Sequence, residues 1–162
     1  MSDASAVNTD HRFETVVAYC LQHARGNFDD IAAHFPLECG RVLDLIGQVY
    51  HNEKVIREGE LDDQARLRDH QKHSAPIMAE LFAYLEYLVD QRLVEDSSRL
   101  GKAVAYVLAR KTELTRFLHI PGAPLDSNAV ERGLKSAVLI RKNSLFYNNE
   151  VSAYRAGILM TL

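Results

Sequence analysis

Apolar residues recur every three or four positions along most of this chain, which is the spacing that buries one face of an amphipathic helix. This pattern predicts a first helix over residues 22–34 and a longer one over residues 37–58. Pro36 separates the two because proline interrupts a helix, and Gly59 can end the second. The first part of the chain after residue 20 is therefore expected to be helical.

Polar capping residues predict where further helices begin. Asp62 starts one, and Ser74, which is followed by alanine and proline, restarts the chain as another. Ser97 or Ser98 caps a third helix, whose apolar positions continue as far as Phe117. These signals extend the helical pattern to about residue 117.

Two groups of side chains inside these helices are interpreted from their spacing. Residues 70–73 (H-Q-K-H) are expected to form a solvated helix face. Tyr84, Tyr87 and Tyr106 lie at helical spacing and are expected in the core or at an interface, rather than stacked on bases.

The remaining segments add little β structure. The β-branched and aromatic run over residues 15–20 (T-V-V-A-Y-C) predicts a strand. Residues 121–124 (P-G-A-P) break the chain, and the capping residues after them predict a helix over 126–140. A last amphipathic helix is expected from Ser152. The predicted fold class is mainly α, with one or two short strands.

The composition is typical of a soluble globular protein in a reducing compartment. The 162 residues are 47% hydrophobic and 25% charged, which suits a single domain. No stretch approaches the roughly 20 apolar residues of a membrane helix, and residues 1–4 (M-S-D-A) do not begin a secretory leader. With two cysteines, no disulfide framework is expected, so we predict a cytoplasmic protein with no membrane partner.

The charges are distributed unevenly. Residues 1–98 carry 9 Lys and Arg against 18 Asp and Glu, whereas residues 99–142 carry 9 against 3. A basic block of this kind could bind a polyanion. It could equally be a solvated helix face that balances its acidic neighbours, and the charge pattern alone does not choose between them.

The helix predicted after the break carries the most informative set of polar residues. Asn128, Glu131, Arg132 and Lys135 share one side of it because they are three, four and seven positions apart. Glu131 could hold a divalent cation while the side chain of Arg132 or Lys135 contacts a phosphate. The alternative is that Glu131 is a first-turn carboxylate that the helix dipole stabilises and that forms an ion pair with Lys135.

The context of these residues favours the functional interpretation. Residues 121–132 read P-G-A-P-L-D-S-N-A-V-E-R, and residues 141–146 read R-K-N-S-L-F. Together they closely resemble the signature of the insertion sequence 66 family of transposases, which is Asp-Asn-Asn, two variable residues, Glu-Arg, and later Arg-Lys-Asn, a variable residue and Leu-Phe.

The resemblance extends towards the N-terminus. Residues 100–106, with L-G-K-A followed by A-Y, look like the helix that precedes the signature. Residues 20–25 (C-L-Q-H-A-R) with Phe28 resemble the family's Cys-x-x-His-x-Arg-Arg segment. Residues 1–4 with Asn8 look like the strand end that carries a catalytic aspartate. The resemblance therefore covers nearly the whole chain.

The resemblance implies a DDE transposase with a ribonuclease-H-like α/β core and a helical insertion. In such enzymes three carboxylates bind two Mg²⁺ ions, which activate the attacking oxygen and stabilise the leaving oxygen during DNA strand cleavage and strand transfer. Asp3 would be the second catalytic carboxylate and Glu131 the third, and both would be metal ligands. The implied partners are DNA and either further copies of the chain or other transposase subunits.

The resemblance also assigns supporting roles. His23, Asp126 and Asn128 are expected near the catalytic centre. The residues expected to contact DNA are basic or amide side chains, namely Arg25, Arg132, Lys135, Arg141, Lys142 and Asn143. The last three also suit a helix C-terminus, where cations are stabilising without any DNA.

The same resemblance divides the chain into residues 1–35 as core strand and helix, 36–120 as helical insertion, and 121–162 as the Glu131 helix, a loop and a terminal helix. Some positions depart from the family pattern. Ser127 replaces an asparagine, Gly26 and Asn27 replace basic residues, and no residue matches the first aspartate. We therefore expect a truncated piece that is inactive by itself. The alternative is a non-catalytic helical module that binds DNA or a transposase subunit.

A zinc site is the remaining candidate. Cys20, His23, His34 and Cys39 could in principle form a tetrahedral set. Their spacing matches no familiar finger or ribbon, so zinc is not expected. Cys20 is expected to be a packed core thiol.

Overall fold

The structure is a computed structural model that describes residues 20–126, and this part of the chain is mainly helical and contains no strand. The helices run in chain order as α1 (Leu21–Asp29), α2 (Pro36–Glu58), α3 (Asp63–His73), α4 (Ala75–Asp90), α5 (Arg99–Leu108) and α6 (Lys111–Leu114). A 3₁₀ turn, Arg116–Leu118, follows α6. The predicted strand over 15–20, apart from Cys20, and the predicted helices after Asp126 lie outside the described residues.

Local sequence signals correctly predict most helix ends. Pro36 occupies the first turn of α2, and Gly59 follows its last residue. The Asp62 carboxylate caps α3 by accepting a hydrogen bond from the Ala65 N–H at 2.7 Å. Ser98 caps α5 in the same way, accepting from the Gly101 N–H at 2.9 Å. In each case the cap satisfies an N–H that has no partner inside its helix.

Two predicted helices are shorter in the structure. The first ends at Asp29, and the chain then forms tight turns up to Phe35, with i→i+3 bonds such as His34 N–H to Ile31 carbonyl at 2.9 Å. The helix predicted to reach Phe117 ends at Leu108. The chain changes direction there and α6 and the 3₁₀ turn bury Leu114 and Phe117. Packing of these two side chains explains an end that has no glycine or proline to mark it.

The core lies among α1, α2, α4 and α5, and side chains from the turn after α6 complete it. Its largest fully buried members include Phe28, Ile46, Met78, Leu81, Leu85 and Val104. Leu125, near the end of the described range, is also part of this core. Of the three tyrosines discussed above, Tyr84 and Tyr106 pack against the core, while Tyr87 is exposed. No helix within residues 20–126 is long and apolar enough to cross a membrane.

A buried polar network joins α2, α3 and α4, and it corrects the prediction that residues 70–73 form a solvated face. His70 is only 1% exposed, whereas Gln71, Lys72 and His73 are exposed as predicted. The His70 Nε2 atom lies 2.9 Å from a Glu53 carboxylate oxygen, and its Nδ1 atom lies 2.9 Å from the Ser74 hydroxyl oxygen. His70 is buried because these partners satisfy both ring nitrogens.

The hydrogen-bond directions in this network are mutually consistent. A carboxylate only accepts, so Nε2 donates to Glu53, while Nδ1 shares the second hydrogen bond with the Ser74 hydroxyl. Ser74 in turn accepts from the Asn52 amide at 3.2 Å. Arg66 donates two hydrogen bonds to Glu53, at 3.0 and 3.1 Å. Burial by itself would raise the pKa of the Glu53 carboxyl, but the bonds from His70 and the nearby Arg66 charge lower it overall.

Candidate functional site

The first and last described segments meet at one point on the helical body. The backbone N–H of Leu21, at the start of α1, donates to the carbonyl of Leu125 at 3.0 Å. Both side chains are buried, with 1% and 3% of their surface exposed. The chain therefore enters and leaves residues 20–126 at neighbouring positions, and we call this contact the junction.

The segment that leads to the junction follows a fixed path. The Gln71 side chain donates to the Leu118 carbonyl at 3.0 Å, and Ala123 N–H donates to the Ile120 carbonyl at 3.2 Å. Gly122 has a φ of +74°, and a Cβ there would lie 2.9 Å from the Asp63 carboxylate. Glycine suits this turn because it tolerates the left-handed conformation and leaves room for Asp63. The proline- and glycine-rich break is thus anchored on α3.

The junction brings together two of the residues that the sequence singled out. Asp126 and Arg25 both lie close enough to the Tyr50 phenol to influence its ionisation. Burial raises the pKa of Tyr50 well above its usual range, the Asp126 charge and Cys20 raise it further, and Arg25 opposes them. Arg25 and Asp126, about a hundred positions apart in the sequence, therefore both lie near the Tyr50 side chain.

Sequence reasoning missed Tyr50. It follows Val49 in the apolar stripe of α2 and has no feature that distinguishes it from a core aromatic residue. Its hydroxyl is buried close to the Asp126 carboxylate, whose charge and hydrogen bonding both raise the Tyr50 pKa. The only available signal was the presence of a polar hydroxyl in an otherwise apolar stripe.

The Cys-x-x-His segment lies at the same end of α1. His23 is exposed in the first turn, and its N–H donates to the Cys20 carbonyl at 3.2 Å. The Cys20 thiol is buried, as predicted, and so is the Cys39 thiol. Burial raises the pKa of Cys39, and the neighbouring Glu38 raises it further. Within residues 20–126, no three His, Cys, Asp or Glu side chains are placed to hold a metal ion.

The other predicted site residues lie outside the described residues. They are the two carboxylates Asp3 and Glu131, the amides Asn128 and Asn143, and the cations Arg132, Lys135, Arg141 and Lys142. Their predicted roles stay predictions.

Comparison with known proteins gives a consistent family assignment. Residues 3–155 match the model described as the IS66 family of transposases. The uncharacterized protein y4jD of Sinorhizobium fredii is 36% identical over 148 residues, which are 90% of this chain and 28% of that protein. The uncharacterized protein y4qI of the same organism is 33% identical over 141 residues, 85% of this chain and 25% of that protein. No solved structure matches.

These matches have two consequences for the site. This chain spans only about a quarter of the length of these curated relatives. The family match nevertheless includes both Asp3 and Glu131, together with the entire helical body between them.

Proposed function

Because this chain belongs to the IS66 family of transposases, we propose that it is part of an enzyme that cuts and joins DNA strands with Mg²⁺. Asp3 and Glu131 are the proposed catalytic carboxylates. The remaining carboxylate of a DDE site would come from a part of the protein that this chain does not span, since its curated relatives are about four times longer. The assembled enzyme would contain further copies of the chain or other transposase subunits.

The junction is the observation that carries this proposal. An inserted domain must leave and rejoin its host at neighbouring points, and the Leu21–Leu125 hydrogen bond gives this property to residues 21–125, a wider segment than the predicted insertion of 36–120. The helical body also has its own core, drawn from its own residues. Asp3 precedes the junction in the sequence and Glu131 follows it. This order is the one expected if the helices are inserted into a ribonuclease-H-like core between the second and third carboxylates.

The proposed metal site agrees with the chemistry of its donors. Mg²⁺ prefers hard oxygen ligands, and Asp3 and Glu131 supply carboxylates. The described residues offer no competing cluster of three potential ligands. When bound, a pair of Mg²⁺ ions would activate the attacking oxygen and stabilise the leaving oxygen of the phosphodiester.

The proposed DNA contacts divide between the junction and the segment after it. Arg25 lies near Tyr50 at the junction, where a guanidinium can pair with a phosphate. His23 is exposed on the same end of α1 and is proposed to lie near the scissile phosphate, with Asp126 and Asn128 close by. The further proposed contacts are Arg132, Lys135, Arg141, Lys142 and Asn143. Such contacts give salt-dependent affinity without sequence preference.

The catalytic proposal predicts the effect of replacing Glu131. With the other polypeptides of its element present, the Glu131→Gln protein should form strand-transfer products about a hundredfold or more slowly, because a charged oxygen ligand is lost at the reacting phosphate. Products are measured with labelled DNA that carries the ends of the element, in the presence of Mg²⁺.

Glu58→Gln is the matched control. Glu58 is an exposed carboxylate of α2 that pairs with Lys54 at 3.7 Å, so its replacement should leave product formation unchanged. Wild-type rates in Glu131→Gln would contradict the catalytic role. Metal-independent DNA binding by the wild type without any cleavage would favour the non-catalytic module instead.

A further inference from the structure

A groove between α1 and α5 is separate from the residues of the junction. It encloses about 420 Å³ and opens to solvent. Ile31 and Ala103 form an apolar floor, and both are buried. Asn27, on α1, and Asp30, the C-cap residue of α1, line one side of the groove.

The opposite side of the groove is basic and aromatic. Arg99, Lys102 and Tyr106 line it from α5. These positions are three and seven residues apart, which places them on one face of the helix. Arg99 and Lys102 are exposed, and neither forms an ion pair with a residue in the described part of the chain. Both lie in the first turns of α5, where the helix dipole adds to the positive potential.

Arg110 extends this basic face beyond the groove. Its guanidinium carbon lies 4.1 Å from the centre of the Tyr106 ring, and its Nη1 atom donates to the Tyr106 carbonyl at 3.2 Å. The stacking keeps the cation on the same side of α5 as Tyr106. From Arg99 to its last residue, Leu108, the helix rises about 14 Å, which is longer than a single phosphate group can occupy.

The position of α5 is fixed by its close contact with the preceding loop. A Cβ on Gly101 would clash with the Glu95 carbonyl oxygen and would lie 2.9 Å from the Asp96 carbonyl oxygen. The Ser98 hydroxyl also donates to the Glu95 carbonyl at 2.6 Å while it caps α5. The N-terminus of α5, which carries Arg99 and Lys102, is therefore fixed against the preceding loop by the Ser98 hydrogen bonds and by the close packing of Gly101.

We propose that the groove between α1 and α5 binds the sugar-phosphate backbone of DNA, with Arg99 and Lys102 contacting successive phosphates. Two exposed cations with no acidic partner among residues 20–126, an aromatic side chain and a basic face longer than one anion favour a polyanionic chain over a small ligand. Among the described residues that line the groove, Asp30 is the acidic one, and its charge opposes this binding. The inference rests on the proposed function, which supplies DNA as the partner, and it adds a DNA contact remote from the carboxylates.

The test measures the affinity of the whole chain for a labelled duplex by fluorescence anisotropy over a range of salt concentrations. The double variant Arg99→Gln, Lys102→Gln should bind about ten- to a hundredfold more weakly at 0.1 M salt. The slope of log affinity against log salt concentration should become shallower by the amount that about two phosphate contacts contribute. Asp30→Asn should bind more tightly than the wild type, because it removes the opposing charge.

The matched control removes two cations elsewhere. Arg68 and Lys72 are exposed on α3, which packs on α2 and α4, and Arg68→Gln, Lys72→Gln changes the net charge equally. Melting curves of all three variants should match the wild type, because the replaced side chains are exposed.

The outcomes separate this inference from the proposed function. If the α5 and α3 double variants lose the same affinity, or Asp30→Asn changes nothing, the groove is not a DNA site, while strand transfer and its dependence on Glu131 are unaffected. If the wild type binds no DNA even at low salt, both the groove and the transposase function are overturned. Loss of affinity in the α5 variant alone, with a lower salt slope, supports the groove.

Discussion

Replacing Glu53 with alanine should lower the free energy of unfolding by about 3–5 kcal/mol. The change leaves the His70 ring and the Arg66 guanidinium without their acceptor, and these side chains are only 1% and 16% exposed. His70 cannot turn towards solvent, because its ring also packs edge-on against Phe117, with centroids 5.0 Å apart. Urea unfolding followed by circular dichroism measures the loss.

Two comparisons make this result specific to the network. Glu80→Ala removes an exposed ion pair, Arg41 to Glu80 at 3.0 Å, and should cost less than about 1 kcal/mol.

The lowered pKa of Glu53 fixes the sign of a pH effect. Its stabilising contribution is complete above the unfolded pKa of about 4.3 and is lost as the pH falls through the folded value. The difference in free energy of unfolding between the wild type and Glu53→Ala should therefore become smaller below about pH 4. Equal losses of unfolding free energy in Glu53→Ala and Glu80→Ala would contradict a stabilising role for the buried network.

Replacing Gly101 with alanine should destabilise the fold by about 2–3 kcal/mol. Alanine usually stabilises a helix relative to glycine, by up to about 1 kcal/mol. Here the added Cβ would meet backbone carbonyls of residues 95 and 96, and the loop can move away only by disturbing the Ser98 cap. The clash and the loss of the cap outweigh the gain in helix propensity. Thermal unfolding measures the change in melting temperature.

Gly47 provides the control with the opposite expected sign. It lies inside α2, and beyond the neighbouring helix backbone no atom of the described residues is within 4 Å of the Cβ that alanine would add. Gly47→Ala should therefore raise the melting temperature slightly. If Gly101→Ala also raised it, the close approach of the 95–96 loop to α5 would be wrong.

The helix boundaries show which parts of the fold are encoded locally. Asp62, Ser98, Pro36 and Gly59 act on backbone groups within a few residues of themselves, so their effects are visible in the sequence. The end of α5 is different. Nothing at Leu108 terminates a helix, and the chain turns there because burial of later side chains is more favourable than another helical turn.

Contacts between distant segments explain why the rest could not be predicted. His70 has the sequence context of a solvated residue, and its burial depends on Glu53, seventeen positions earlier on another helix. The pairing of Leu21 with Leu125 likewise leaves no local pattern. The resemblance singled out Asp126 and Arg25, which both influence the Tyr50 phenol, but it gave no reason to include Tyr50.

Glu131 is proposed to bind the catalytic metal, and metal rescue of Glu131→Cys tests this role most directly. The variant should lose about a hundredfold or more of its strand transfer in Mg²⁺, because a thiolate is a poor ligand for this hard cation. Replacing Mg²⁺ with Mn²⁺, a transition-metal ion that binds sulfur more readily, should restore a substantial part of the activity. Wild-type strand transfer by Glu131→Cys in Mg²⁺ would contradict the account, and so would a loss that Mn²⁺ does not reverse.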